Sequence, residues 1–247
     1  MIGLILVGVA LLSFLIYTIP LIVAENRLAK LRPEKQRWHS LRIVQGELRM
    51  LLRLSGSKLT IIGRENIPDR AVLYVGNHSS YFDIVCGYVS VPAPTGFVAK
   101  KEMESWFSLA WWMRLVNCLF LDRRDIKAGL RTILDAVAKI KSGVSIWIFP
   151  EGTRNSNADL TDLLPFKDGS FKIAEKSGCP VIPVAITGTA DIFERQFPFI
   201  HASQVTIEFG APIDLKELPP EQKKHVGAYV REEIIEMLKK EQERRHS

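Results

Sequence analysis

VLYVGNHSSYFD, residues 72–83, reads as a strand, a tight turn and the start of a helix. The apolar run ends at Val75, Gly76 lets the chain turn, and His78 follows on the loop. Asp83 falls where the next helical pattern begins. The plan repeats at residues 144–155, where the apolar run VSIWIF leads into PEGTRN. Short β-branched runs predict strands at 58–62, 71–76, 96–99, 118–122, 144–149, 181–187 and 203–209. Helical patterns lie at about 80–91, 103–116, 126–142, 168–177 and 219–244. The last of these is dense in charge and reads as a solvated cover. Strand–helix alternation predicts the α/β class: a layered sandwich around a largely parallel or mixed sheet. Nothing in 57–247 looks like a linker, so that stretch is expected to be one domain.

The chemistry-bearing residues cluster where strands end. His78 and Asp83 are five positions apart, which on one continuous helix is about 140° out of phase. If His78 sits on the loop and Asp83 in the first helical turn, the two can meet. An aspartate on a histidine fixes its tautomer and stabilises the imidazolium formed when the ring takes a proton. The free ring nitrogen is then a general base. Taken alone, this spacing also suits a purely structural pair.

FPEGTRN, residues 149–155, has Pro150 and Gly152 to shape a loop at a strand end, where α/β proteins place their sites. Its Glu151 and Arg154 are thereby held near whatever binds, and an arginine fork matches phosphate oxygens. The plain alternative is a turn with a solvent-facing ion pair. FLDRRD, residues 120–125, offers Arg123 and Arg124, and VAKK ends on Lys100 and Lys101. Basic residues recurring at strand ends beside a His–Asp pair favour a phosphate site over surface decoration. Lys100 enters on its charge and position.

Residues Met1 to Ala24 carry no charged side chain. As a helix they would extend roughly 36 Å, against an apolar bilayer thickness of about 30 Å. The basic residues come after this stretch rather than before it, which fits a retained anchor and not a cleaved signal peptide. Pro20 could bend it. Downstream, Trp38, Leu41, Val44, Leu48, Leu51 and Leu52 recur at helical spacing, with Arg37, Arg42, Arg49 and Arg53 between them. That pattern predicts an amphipathic helix on an anionic lipid surface, or one packed on the domain with a charged outer face. Residues 1–56 are therefore expected to attach the protein to the membrane. Basic flanks stay in the cytoplasm, which puts the rest of the chain on the cytoplasmic face.

With 247 residues and a net charge of +6, the chain suits one catalytic domain with anionic partners. The cysteines are Cys86, Cys118 and Cys179, with no CxxC spacing, so a disulfide framework or zinc site is not expected and the thiols read as core. No HExxH, P-loop or GxSxG pattern occurs. No metal or cofactor is expected. No nucleic-acid motif accompanies the basic charge, so nucleic acid is not an expected partner.

Taken together, NHSSYFD (77–83), FLDRR (120–124), FPEGTR (149–154) and VIPVAITG (181–188) resemble the four ordered signature blocks of the glycerolipid acyltransferase family. The resemblance covers roughly residues 57–215 and extends to the size and apolar N-terminus of its bacterial members. It implies His78 as general base with Asp83 as its orienter, the histidine–four-residue–aspartate motif of that family. It also implies acceptor binding by Arg123, Glu151, Gly152 and Arg154, with the two arginines near a phosphate. Pro183, in the fourth block, would line the acyl-donor or acceptor pocket. The implied reaction moves an acyl chain from a thioester, on acyl carrier protein or coenzyme A, to the sn-2 hydroxyl of lysophosphatidic acid. Other acceptors (glycerol 3-phosphate, another lysophospholipid) and a non-catalytic lipid-binding role are the alternatives.

Overall fold

The computed structural model describes residues 2–246. Three helices come first: α1 (Ile2–Tyr17), α2 (Ile19–Leu31) and α3 (Pro33–Leu54). Strands and helices then alternate as β1 (Lys58–Ile62), β2 (Leu73–Gly76), α4 (Phe82–Ser90), β3 (Thr95–Lys100) and α5 (Phe107–Leu115). There follow β4 (Leu119–Leu121), α6 (Ile126–Lys141), β5 (Ser145–Ile148), α7 (Lys172–Ser177) and β6 (Val181–Thr187). The chain closes with β7 (Gln204–Phe209), α8 (Pro220–Lys224) and α9 (Val226–His246).

Proline sets both breaks among the first helices. Pro33 opens α3, and the residue before a proline is pushed out of helical geometry, so Arg32 sits at φ −146°, ψ 74°. Pro20 lies in the first turn of α2, and α1 and α2 meet at 54°. Thr18 at the bend is buried; its Oγ1 donates to the Phe14 carbonyl at 2.5 Å and accepts from Trp112 Nε1 at 2.9 Å.

The seven strands form one sheet in the order β1-β7-β6-β2-β5-β3-β4. Every pair is parallel except β6–β7, so the sheet is parallel at its centre and mixed at the β7–β1 edge. Strand β2 is central, with Tyr74 opposite Trp147 on one side and Ile182 on the other. Both faces of such strands are covered, which is why they read as continuous apolar runs. Side chains still alternate between two cores. Val72, Tyr74, Phe97, Trp147 and Ile182 pack with α3, α4 and α5, whereas Leu73, Val75, Ile146 and Val181 pack with α6, α7 and α9. An aromatic ridge crosses the first face: Tyr74–Trp147 and Trp147–Phe97 each have centroids 5.1 Å apart, and Phe97–Tyr88 4.6 Å. Truncating the fully buried Trp147 would cost about 3–5 kcal/mol.

Packing bears on one open alternative and changes one expectation. The apolar face of α3 packs on the domain: Leu41, Val44 and Leu52 are buried in the same core as the sheet, Leu51 is buried as well, and Arg42, Arg49 and Arg53 face outward. The boundary at residue 56 falls between α3 and β1, with core-forming residues on both sides of it. Helix α9 is no mere solvated cover, since Val230, Ile234 and Leu238, four residues apart along one face, are fully buried against the second core. All three cysteines are buried, and desolvation pushes each thiol up.

Candidate active site

The carboxyl ends of β6, β2 and β5, adjacent in the sheet, bring the site together. Asn77 follows β2 and clamps it to β6: its Nδ2 donates to the Ile186 carbonyl at 2.9 Å, and its Oδ1 accepts from the Ile186 N–H at 2.8 Å. His78 comes next on the loop, and α4 begins soon enough to put Asp83 in its first turn. His78 Nδ1 is 2.8 Å from Asp83 Oδ2.

Asp83 is completely buried and takes every bond a carboxylate can use for support. Its Oδ2 also accepts the N–H groups of Ser79 at 2.7 Å and Ser80 at 2.8 Å, and its Oδ1 accepts from Thr189 Oγ1 at 2.5 Å. Thr189 stands just past β6, so the third strand supplies this contact. A carboxylate surrounded by donors accepts from Nδ1, which leaves Nε2 of His78 without a proton and able to accept one.

The second loop holds His78 by its backbone and its ring. The His78 N–H donates to Glu151 Oε1 at 2.8 Å, and the His78 carbonyl accepts from the Asn155 N–H at 2.7 Å. The ring stacks on Phe149, with centroids 4.2 Å apart and planes at 12°. The other Glu151 oxygen accepts from the Leu164 N–H at 3.0 Å. Glu151 is 4% exposed, and burial raises its carboxyl above the ordinary range against the pull of those two N–H groups. In this arrangement it braces two loops through backbone bonds. Gly152 takes a positive φ of 78°, a conformation glycine adopts without a Cβ penalty.

The expected cations fall in different places. Arg123 follows β4 and donates through Nη1 to the Gly152 carbonyl, and burial lowers its pKa. Arg154 lies 4.0 Å over the Tyr81 ring and 3.0 Å from Glu194 Oε1. Its charge is therefore partly met inside the protein. Lys100 is exposed at the end of β3, and its neighbour Lys101 pairs with Asp122 at 2.8 Å. Pro183 is buried within β6, its ring against Gly210, on the face that Met237 of α9 covers.

A sequence model described as Acyltransferase matches residues 58–187. The chain belongs to the acyltransferase family. It is 33% identical over 175 residues to the 1-acyl-sn-glycerol-3-phosphate acyltransferase of Escherichia coli strain K12, covering 68% of this chain and 69% of that protein. It is 27% identical over 204 residues to the yeast protein of the same name, covering 82% of this chain and 66% of the relative. The crystal structure of the 1-acyl-sn-glycerophosphate acyltransferase from Thermotoga maritima superimposes with a TM-score of 0.80 at 28% identity, covering 96% of this chain and 95% of that one.

For an acyltransferase the arrangement is chemically sufficient as a base: an oriented imidazole, a buried counter-charge and an aromatic plate that fixes the ring plane. Sequence reading missed Asn77, Thr189, Phe149 and Glu194 as supporting residues. Phe149 lay within the quoted loop and could have been found there. Thr189 and Glu194 lie 106 and 114 residues from their partners, Asp83 and Ser80, and carried no local signal.

Proposed function

We propose that this chain transfers an acyl group from an acyl thioester to the sn-2 hydroxyl of lysophosphatidic acid, giving phosphatidic acid. The observation that carries the reading is the His78–Asp83 pair, with Nδ1 committed to a buried carboxylate and Nε2 left free. The related 1-acyl-sn-glycerol-3-phosphate acyltransferases supply the acceptor. The donor is a thioester of acyl carrier protein or coenzyme A.

His78 Nε2 takes the hydroxyl proton as the acceptor oxygen attacks the thioester carbonyl. Asp83 stabilises the imidazolium that forms. Collapse of the tetrahedral species breaks the carbon–sulfur bond, and the imidazolium returns its proton to the departing thiolate. No covalent enzyme intermediate is involved. The work of the first helices follows from the substrate: acceptor and product are lipids, so the domain operates at the cytoplasmic surface of an anionic membrane, held there by residues 1–56.

The test is thiol release from a long-chain acyl thioester in mixed micelles, with and without lysophosphatidic acid, for wild type and His78→Ala. Acceptor-dependent release is expected, and the variant should lose about 10²–10⁴-fold in turnover while staying folded. Full activity in a folded His78→Ala protein would remove the base assignment. Release that ignores the acceptor would mean a hydrolase.

A further inference from the structure

Beside Phe149 and Gly152 lies a cleft of about 250 Å³ that the His–Asp pair does not account for. Val98, Leu121, Ile126 and Ile148 give it an apolar floor, and its charged lining is Asp122, Asp125, Arg123 and Lys167. Both carboxylates already have partners. Asp122 holds Lys101 Nζ at 2.8 Å and the Arg124 N–H at 2.9 Å, and Asp125 caps α6 through the N–H groups of Lys127 and Ala128. Among the described residues neither Arg123 nor Lys167 makes an ion pair; Arg123 feels the Glu102 carboxylate only at longer range and spends one N–H on the neutral Gly152 carbonyl.

These cations also converge. A Cβ built on Gly152 would lie 2.8 Å from Lys167 Nζ and 3.7 Å from Arg123 Nη1, so both reach the same small space over a residue that has no side chain to fill it. The backbone of Lys167 is fixed there, its N–H donating to the Pro150 carbonyl at 3.1 Å. Two like charges held together with no carboxylate bonded to either repel each other, and an anion between them relieves that repulsion. A planar fork beside a point charge suits a tetrahedral, doubly charged oxyanion.

We propose that Lys167 joins Arg123 in seating a phosphomonoester, that of the lysophosphatidic acid headgroup, and so selects phosphate-bearing acceptors. The assignment of the lipid rests on the function proposed above; the seat itself does not. Lys167 is a specificity residue here, with no part in proton transfer. The phosphate would sit on the strand-end loop that also braces His78, which sets the acceptor hydroxyl at a fixed reach from the base.

The full chain is compared as wild type, Lys167→Gln and Lys167→Arg. Equilibrium binding of labelled glycerol 3-phosphate reads the seat without turnover, and acyl transfer is followed at varied lysophosphatidic acid and, separately, varied thioester. Lys167→Gln is expected to weaken glycerol 3-phosphate binding and raise the KM for lysophosphatidic acid, each by about tenfold or more, with kcat and the thioester KM little changed. Lys167→Arg should restore most of both. An unchanged lysophosphatidic acid KM, or a loss confined to the thioester, overturns the proposal. If wild type binds glycerol 3-phosphate in a Lys167-dependent way yet acylates no lysophosphatidic acid, the seat stands and the acceptor reading falls.

Discussion

Thr189 is the residue whose removal isolates what the support of Asp83 contributes. Its hydroxyl bonds the buried Oδ1 at 2.5 Å, and valine would fill the same space without a donor. Thr189→Val should cost about 1–3 kcal/mol of unfolding free energy in urea titration and lower turnover, with Thr189→Ser close to wild type. Equal midpoints for Val and Thr would show that Oδ1 needs no partner. Glu151 makes a separate prediction through pH. Burial raises its folded pKa above the unfolded value, so the stability tied to its protonated form is full below the unfolded pKa and is lost as pH rises through the folded one. Glu151→Gln cannot titrate. The difference in Tm, wild type minus variant, should therefore fall as pH rises through that window; a flat difference would mean the carboxyl is not perturbed.

At the scale of elements, the loop after β5 does several tasks in few residues. Phe149 carries the His78 ring, Glu151 braces two backbones, and Gly152 makes the turn at a positive φ of 78°. Any side chain at Gly152 would meet the left-handed backbone penalty of about 1–2 kcal/mol and would crowd Lys167 Nζ at 2.8 Å. Gly152→Ala is expected to lower the unfolding midpoint and raise the KM for acceptor more than that for thioester. Wild-type values of both would mean that the turn tolerates a Cβ. The loop after β2 is held equally firmly, because Asn77 spans to β6 and Asp83 caps its own turn through Ser79 and Ser80. The base is therefore aimed by three strands rather than by one.

Across the whole molecule, much of the exposed apolar surface lies on the first helices and α5. Val9, Leu12 and Ile16 of α1, Val23 of α2, and Trp106, Phe107 and Trp111 at α5 are all exposed. A groove of about 660 Å³ between α2 and α5 is lined by Ile19, Val23, Phe107 and Trp111 together with Arg27 and Lys30. No single described helix is long and apolar enough to cross a membrane, but the bent pair Ile5–Tyr17 and Ile19–Leu31 meets the length and composition jointly. Such a surface predicts co-sedimentation with anionic vesicles, where each basic residue near the surface adds about 1 kcal/mol. Replacing Trp106, Phe107 and Trp111 together by serine should weaken sedimentation, and so should raising the salt. Retention by the triple variant at wild-type strength would leave the α5 aromatics without a membrane role.

Periodicity alone carried much of this. All seven strands and the strand-loop-helix setting of His78 and Asp83 were legible, because strands buried on both faces must be continuously apolar and a turn must interrupt them. The bend near Pro20 was written in residue type, since proline lacks the donor and blocks the preceding residue. Which strands lie side by side was not legible, because neighbours in a parallel sheet are chosen by packing and crossover rather than by any local pattern. That order alone carries Thr189 to Asp83 and stacks Phe149 on His78. The same holds for charge: FPEGTR shows an arginine and a glutamate, but only the fold pairs Arg154 with Glu194, turns Glu151 inward to the backbone and leaves Arg123 and Lys167 facing one cleft. Residue types set what each loop could do. Long-range contacts, which cost chain entropy and are made only when the whole core closes, decided what each one does.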